Sequence, residues 1–369
     1  MRSPISCPVS RSTRPPLIPE PPTSMPNPIR CPIAQIVRNR HNGGMSNNSH
    51  GTEQLANSAD SRGSAAPNSP GSVRPSVREL RDRAVLIARA AAAHIASRRV
   101  ELGSDGVLAS SETKSSAVDP VTVVDRESEE LIRSLIKAFS SSDRILGEEG
   151  GLDDGAGSQA QTTDAPEPVT WIVDPIDGTV NFLYGLPNFA VSIACAVGDE
   201  VVAGAVANVY SGEIYCAAKG EGAQVSRRDG TVQALSCSPT TELEKTLVAT
   251  GFSYSASLRQ VQGRIASQLL GECRDIRRMG SAALDLCMVA HGRVDAYYEH
   301  DIKIWDYAAG ALIAAEAGAR IRIPEFSECA NAAGRPEGDP LNFGVGAANP
   351  EVADAFYEAL DGAISKARN

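Results

Sequence analysis

The chain contains no run of 18 apolar residues, no C-x-x-C pair, no internal repeat and no surplus of basic side chains. Each absence excludes something. Without a long apolar run, and without an apolar segment between a basic start and a cleavage site, neither membrane insertion nor secretion is expected. The eight cysteines (Cys7, Cys31, Cys195, Cys216, Cys237, Cys273, Cys287 and Cys329) are too scattered for a zinc cluster or a disulfide scaffold, and they read as reduced thiols of a cytoplasmic protein. The five histidines form no cluster, and "GFSYS" fails the G-x-S-x-G pattern of a serine nucleophile. With 45 acidic against 35 basic residues, a net charge of -10, a broad nucleic-acid surface is excluded and a cationic partner fits better.

What is present is enough apolar material for a real core: 42% of 369 residues, one large domain or two ordinary ones. Residues 1–75 differ from the rest, holding 13 of the 23 prolines and no periodic apolar pattern. They read as a disordered extension, or as upstream sequence attached by a mis-called start with Met45 as the true one; an Arg-rich targeting peptide is the weaker reading, because its prolines oppose an amphipathic helix. The catalytic domain is therefore expected over 76–369. A helix is expected over 77–102 in "VRELRDRAVLIARAAAAHIASRRVEL", and a second in "TVVDRESEELIRSLIKAF" with Asp125 as its cap. A surface loop follows at 150–168. "VTWIVD", "FAVSIACAV", "EVVAGAVANV" and "EIYCAA" read as strands, and "SAALDLCMVAHG" and "DYAAGALIAAEAG" as helices ended by left-handed glycines.

The stretch that carries chemistry is "WIVDPIDGTVNF", residues 171–182. A strand candidate ends at Asp174, Pro175 fixes one torsion, and Gly178 permits a backbone that other residues resist, so that Asp174 and Asp177 face one side. Hard divalent cations such as magnesium take oxygen ligands of this kind together with substrate phosphate, and free amides at a helix start near Gly178 and Thr179 would favour an anion in the same place. Taken alone, Asp-Pro and Asp-Gly pairs are as often simple turns. An EF-hand is a poor match. The D-x-D-G-T of aspartyl-nucleophile phosphatases differs by one residue of spacing. Elsewhere "RILGEEGG" sets Glu148 and Glu149 before two glycines, and "IWDYAAG" sets Asp306 at the cap of an Ala-rich helix. Each is weak alone, but a two-metal site needs several convergent carboxylates.

"GEEG", "WIVDPIDGTVNF", "RRMGSAALDLCMVAHGRVDAYYE" and "WDYAAGALIAAEAG", in that order over roughly residues 77–365, resemble the magnesium-dependent, lithium-sensitive inositol monophosphatases, in particular their bacterial SuhB-type members. The resemblance implies an α+β fold, a layered αβαβα sandwich shared with fructose-1,6-bisphosphatase, in which the first sheet is mostly antiparallel and the site lies between two sheets. It implies two or three Mg2+ ions. Glu148, Asp174 and the carbonyl of Ile176 match ligands of the first ion, and Asp174, Asp177 and Asp306 those of the second; Glu149 looks like an outer-shell acid. Gly178 and Thr179 match the phosphate-holding amides and hydroxyl, and Asp125 with Thr179 matches the pair that orients or deprotonates the attacking water. Lys114 and Asp119 fall in what resembles a mobile loop that recruits a further metal. Glu299, with the backbone at Gly280, Ser281 and Ala282, matches the reader of inositol hydroxyls, and Arg277 a substrate-side arginine. Asp301 stands where many relatives have glycine.

The activity so implied is hydrolysis of myo-inositol monophosphate by metal-activated water. The substrate is a small phosphate monoester, with no nucleic acid and no membrane as partners, and a homodimer is usual in the family. Fructose 1,6-bisphosphate, histidinol phosphate and 3'-phosphoadenosine 5'-phosphate are the alternative substrates, since shared metals hold the phosphate while few contacts read the alcohol. A non-catalytic interaction protein on the same fold is the alternative of another class.

Overall fold

Strand β5 (Val169–Asp177) is buried along its whole length, and the architecture is built outward from it. The computed structural model describes residues 74–109, 111–114, 120–156, 168–331 and 333–368, within one compact unit that starts at Asn68. Most of the expected N-terminal extension, Asp119 and the greater part of the expected 150–168 loop lie outside these residues. Among the described residues no helix is long and apolar enough to cross a membrane.

The first helix, α1 (Val77–Ala109), is interrupted at Gly103, whose φ of 65° is non-helical, so the regular part ends at the expected limit of 102. After the short strands β1 (Glu112–Thr113) and β2 (Pro120–Val121) comes α2 (Val123–Phe139). Its cap is Thr122 rather than the expected Asp125. Asp125 is the fourth residue of a capping box, in which its carboxylate accepts from the Thr122 amide while the Thr122 hydroxyl serves the helix amides.

The chain then enters an eight-stranded mixed sheet. Its strands are β3 (Arg144–Gly147), β4 (Gly151–Asp153), β5, β6 (Ala190–Val197), β7 (Glu200–Asn208), β8 (Ile214–Ala218), β9 (Ala223–Ser226) and β10 (Val232–Ala234), in the spatial order β10-β9-β8-β7-β6-β5-β3-β4. Only the β3–β5 pair is parallel. A second, five-stranded sheet is formed by β11 (Leu247–Thr250), β12 (Asp275–Arg277), β13 (Ala296–His300), β14 (Arg320–Arg322) and β15 (Gly344–Ala348), with β11 parallel to both its neighbours.

Three apolar cores mark the layers. One joins α1 and α2 to the outer face of the first sheet, with Ile87, Ile132, Trp171 and Phe182 buried there. The second holds α5 (Ala282–Ala290) and α6 (Ile304–Glu316) between the two sheets. The third packs α4 (Ala256–Leu269) and α7 (Ala353–Arg368) on the far face of the second sheet. The result is the expected αβαβα sandwich. Both central helices end as the sequence indicates, near Gly292 (φ 64°) and Gly318 (φ 96°).

The two central helices are pressed together at Gly310, where a Cβ would stand 2.8 Å from the Leu286 Cβ and 3.1 Å from the Ala283 carbonyl oxygen. Gly310→Val is therefore expected to destabilise the fold by about 1–3 kcal/mol through overpacking. Urea denaturation would register this as a lower midpoint at unchanged slope, and an unchanged midpoint would mean that the helices can separate freely.

Candidate active site

A regular strand points residues three apart to opposite faces. Asp174 and Asp177 nevertheless reach the same cavity, because β5 carries an extra residue between them: Asp174 pairs with Ser192 and Asp177 with Ala190, three positions on one strand against two on the other. Such a bulge re-aims side chains, so "DPID" is an interruption within a strand rather than the turn after one. Immediately beyond, Gly178 adopts φ 91°, and a Cβ there would lie 2.9 Å from the carbonyl oxygens of both Asn188 and Gly280. Helix α3 (Thr179–Tyr184) starts at the next residue, as expected. The Asn181 side chain ties it down by donating to the Asn188 and Met279 carbonyls at 2.6 and 2.8 Å.

The cavity, about 420 Å³, opens at the carboxyl ends of β3, β5, β11 and β13. Glu148, Asp174, Asp177 and Asp306 line it together with Ile176, Gly178 and Thr179. Glu148 follows β3 and is fastened to β5 by its amide, which donates to the Val173 carbonyl at 3.1 Å. Asp306 is the third residue of α6, not its cap; that position belongs to Lys303, whose amide donates to the Asp306 carboxylate at 2.7 Å. The Ser192 hydroxyl donates to the Trp305 carbonyl at 3.0 Å and so locks the start of α6 to β6.

Each acid has one oxygen occupied by the protein. Asp174 Oδ1 accepts from the Ile176 amide at 2.9 Å, and Asp177 Oδ2 from the Ser281 hydroxyl at 2.5 Å and the Ala283 amide at 2.8 Å. Glu148 accepts from Lys114 Nζ at 2.8 Å, and the same ammonium donates to Glu149 at 2.5 Å. Asp174 also stands within hydrogen-bonding reach of both Glu148 and Asp306. Two carboxylates can share such a contact only if one carries a proton. Burial, aided by Glu148, Asp177 and Asp306, accordingly drives Asp174 well above the ordinary range. Burial also raises Glu148, against the opposing charge of Lys114. It lifts Asp177 to about 7 despite the Ser281 and Ala283 bonds, and Asp306 to about 7 with help from Asp177.

Asp125 is fully buried, and burial raises it to about 7 against the hydrogen bond from Thr122. Its second oxygen faces the Thr179 hydroxyl at 3.3 Å, and that hydroxyl also lies 3.0 Å from the Ile176 carbonyl. Gly280, Ala282, Glu299, His300 and Asp301 line the same cavity. Glu299 accepts from the Tyr297 hydroxyl at 2.9 Å, and burial lifts its carboxyl to about 7.

The geometry amends several expectations. Of two neighbouring arginines, Arg278 lines the cavity and the expected Arg277 does not: Arg277 is exposed and bonded to Asp275 at 2.5 Å. Adjacent residues at a strand end face opposite ways, and the motif "RRMG" offers no means to choose between them. Ser281 acts through its side chain, which caps α5 and holds Asp177, rather than as a cavity wall. Several lining residues had no motif, among them Lys303 and Arg335. "GFSYS", set aside as a failed nucleophile elbow, supplies a whole segment of wall from Gly251 to Ser255, and a Cβ on Gly251 would collide with the Glu299 carboxylate at 2.1 Å. Glu129 was also missed; from α2 it accepts the Glu149 and Gly150 amides at 2.7 and 2.8 Å and so shapes the "GEEG" loop. Among the described residues no group of three or more His, Cys, Asp or Glu side chains is arranged to hold a metal ion as it stands.

The sequence model of the inositol monophosphatase family matches residues 76–365. The chain belongs to this family of phosphatases. It is 47% identical over 286 residues to an inositol-1-monophosphatase of Mycobacterium leprae, a match covering 76% of this chain and 93% of that protein. Among solved structures it is similar to Mycobacterium tuberculosis SuhB, with 42% identity and a TM-score of 0.62 over 78% of this chain and 97% of the other. A relative in Pasteurella multocida, 41% identical over 207 residues (56% of this chain, 72% of that protein), bears the name Nus factor SuhB.

The titration of the acids has a consequence for stability. Asp125, Asp177, Asp306 and Glu299 are held at about 7 in the fold, against 3.8 to 4.5 for free carboxyls. Between those values the folded chain binds protons that the unfolded chain has released, so stability falls as pH rises from about 4 to about 7 and changes little from these groups above that. Urea midpoints of chelator-washed protein should therefore be lower at pH 7.5 than at pH 5. A midpoint that rises over this interval would show that the acids are not buried together as described.

Proposed function

We propose that the cavity binds myo-inositol monophosphate and hydrolyses it with Mg2+ to myo-inositol and phosphate. The observation that carries this reading is the gathering of Glu148, Asp174, Asp177 and Asp306 in one cavity with a fifth carboxylate, Glu299. The donor set fits magnesium by its chemistry: it is made wholly of hard oxygens, the Ile176 carbonyl included, and it holds more buried negative charge than the neighbouring Lys114 can balance. Glu148, Asp174, Ile176, Asp177 and Asp306 would hold two ions, with a third recruited near Lys114. When bound, magnesium supplies the Lewis-acid charge that phosphoryl transfer requires.

The chain's own residues supply the rest. Asp125 and Thr179 form a relay whose carboxyl, held at about 7, can take a proton at neutral pH from water aligned by the Thr179 hydroxyl. Gly178 and Thr179 line the cavity, and their backbone would hold the phosphate. Glu299, supported by Gly280 and Ala282, accepts hydrogen bonds from the alcohol. Fructose 1,6-bisphosphate, histidinol phosphate and 3'-phosphoadenosine 5'-phosphate remain competing substrates of the same chemistry. The reading as a purely non-catalytic partner, to which the Nus-factor name of one relative points, gives no reason for four acids to be gathered in one cavity. A homodimer and lithium sensitivity rest on the family resemblance alone, and a cytoplasmic location on the scattered cysteines.

Phosphate release from inositol 1-phosphate is expected to require Mg2+ and to exceed that from the three competitors. Asp177→Asn should abolish it, by at least about a hundredfold, while far-UV circular dichroism stays native. Retention of substantial turnover would remove Asp177 from the ligand set. Glu299→Gln should lower kcat/KM for inositol 1-phosphate more than for an aryl phosphate, which offers no hydroxyls to read; equal losses on the two would end its assignment to the alcohol.

A further inference from the structure

Asp301 is the one non-glycine residue with positive φ among the described residues, at 70°. An L side chain is disfavoured there, and such a residue persists only where its surroundings hold it. Two partners do so. The Ser253 hydroxyl donates to Asp301 Oδ2 at 2.6 Å, and the Arg335 guanidinium is ion-paired with Oδ1. Ser253 is itself fixed, its amide donating to Gln262 at 2.9 Å and its hydroxyl accepting from the Ser255 amide at 2.9 Å. Three chain segments, after β11, after β13 and before β15, are thereby clasped at one point of the cavity wall. The Asp301 side chain is only 15% exposed, whereas that of Arg335, 40% exposed, could reach a ligand if released.

The other cations of the wall are similarly faced by acids. Arg278 lies in the field of Glu299 and Asp285, and Lys303 in that of Asp306. We infer that the Asp301–Arg335 pair is a specificity determinant: by neutralising a guanidinium that lines the same cavity as Glu299, it disfavours alcohols that carry a second anionic group and reserves this end of the cavity for neutral polyols. The inference rests on the phosphatase reading above. It requires Asp301 to act on what the cavity accepts, beyond tying loops together.

The test compares kcat/KM for inositol 1-phosphate and fructose 1,6-bisphosphate in the full chain with Mg2+. Asp301→Asn should shift the ratio toward the bisphosphate by about tenfold or more, the scale of one freed charge-assisted contact. Asp301→Gly, which suits the positive φ and so guards against misfolding of the Asn variant, should shift it likewise. Adding Arg335→Met to either variant should cancel the shift, because the released guanidinium is the group that binds. An unchanged ratio, equal losses on both substrates, or a shift that survives Arg335→Met would overturn the inference while wild-type turnover of inositol 1-phosphate still upheld the phosphatase. Wild-type protein that cleaves neither ester would overturn both.

Discussion

Acidic side chains buried side by side suffer twice, once from loss of water and once from one another, and both effects favour the protonated form. The acids around Asp174 are in this position. They are not spread along a surface where solvent would screen them but enclosed at the mouth of a cavity, with one lysine ammonium shared between Glu148 and Glu149. A fold that retains such a cluster sacrifices stability at neutral pH, and the sacrifice makes physical sense where the cluster meets a cation that protons merely replace. Proton loading and cation loading are thus two ways of answering the same excess of charge.

The surrounding structure is arranged so that the acids cannot relax apart. Asp174 and Asp177 sit on a strand buried on both faces, and the bulge between them makes them neighbours on one side. Glu148 is hydrogen-bonded to that strand through its amide, Asp306 is held by the first turn of a helix whose start is bonded to β6, and Asp177 is gripped by the start of α5. Every one of these supports is backbone or a short side chain, the kind with little conformational freedom to lose. The close approach of α5 and α6 at Gly310 fixes the relative placement of the two helix starts, and so couples packing between the sheets to the geometry of the acids.

The layered fold was legible because its elements follow simple periodicities: the Ala-rich helices end at glycines that adopt positive φ, and the central strands β6 and β7 are mostly apolar runs. The acids of the site were legible as a conjunction of motifs, and they do share a cavity. Asp125 and Asp306 were placed at helix starts but one turn off their capping role, because a capping box uses its fourth residue as well as its first and the sequence does not say which is which. Arg278, Ser253 and Arg335 were not legible. They reach the cavity from loops, and loop side chains are aimed by tertiary contacts that leave no periodic trace. Glu129 was hidden for another reason: on an amphipathic helix it reads as one more surface acid until the "GEEG" amides are seen to end on it.

The division of the cavity between two sheets bears on how its selectivity can change. The wall assigned to phosphate belongs to β3, β5 and the helix starts joined to them, where a shifted backbone would disturb several buried acids at once. The part proposed for the alcohol is assembled from Gly251 to Ser255, the end of β13 with the loop through Lys303, and the segment of Arg335, with Asp301 bonded to both Ser253 and Arg335. Substitutions there alter which groups face the ligand without touching the bulge in β5. On the proposed function, Asp301 marks the contrast: a residue in an unfavourable backbone conformation, kept in place by contacts with neighbouring loops, would be where substrate preference is revised at small risk to the chemistry.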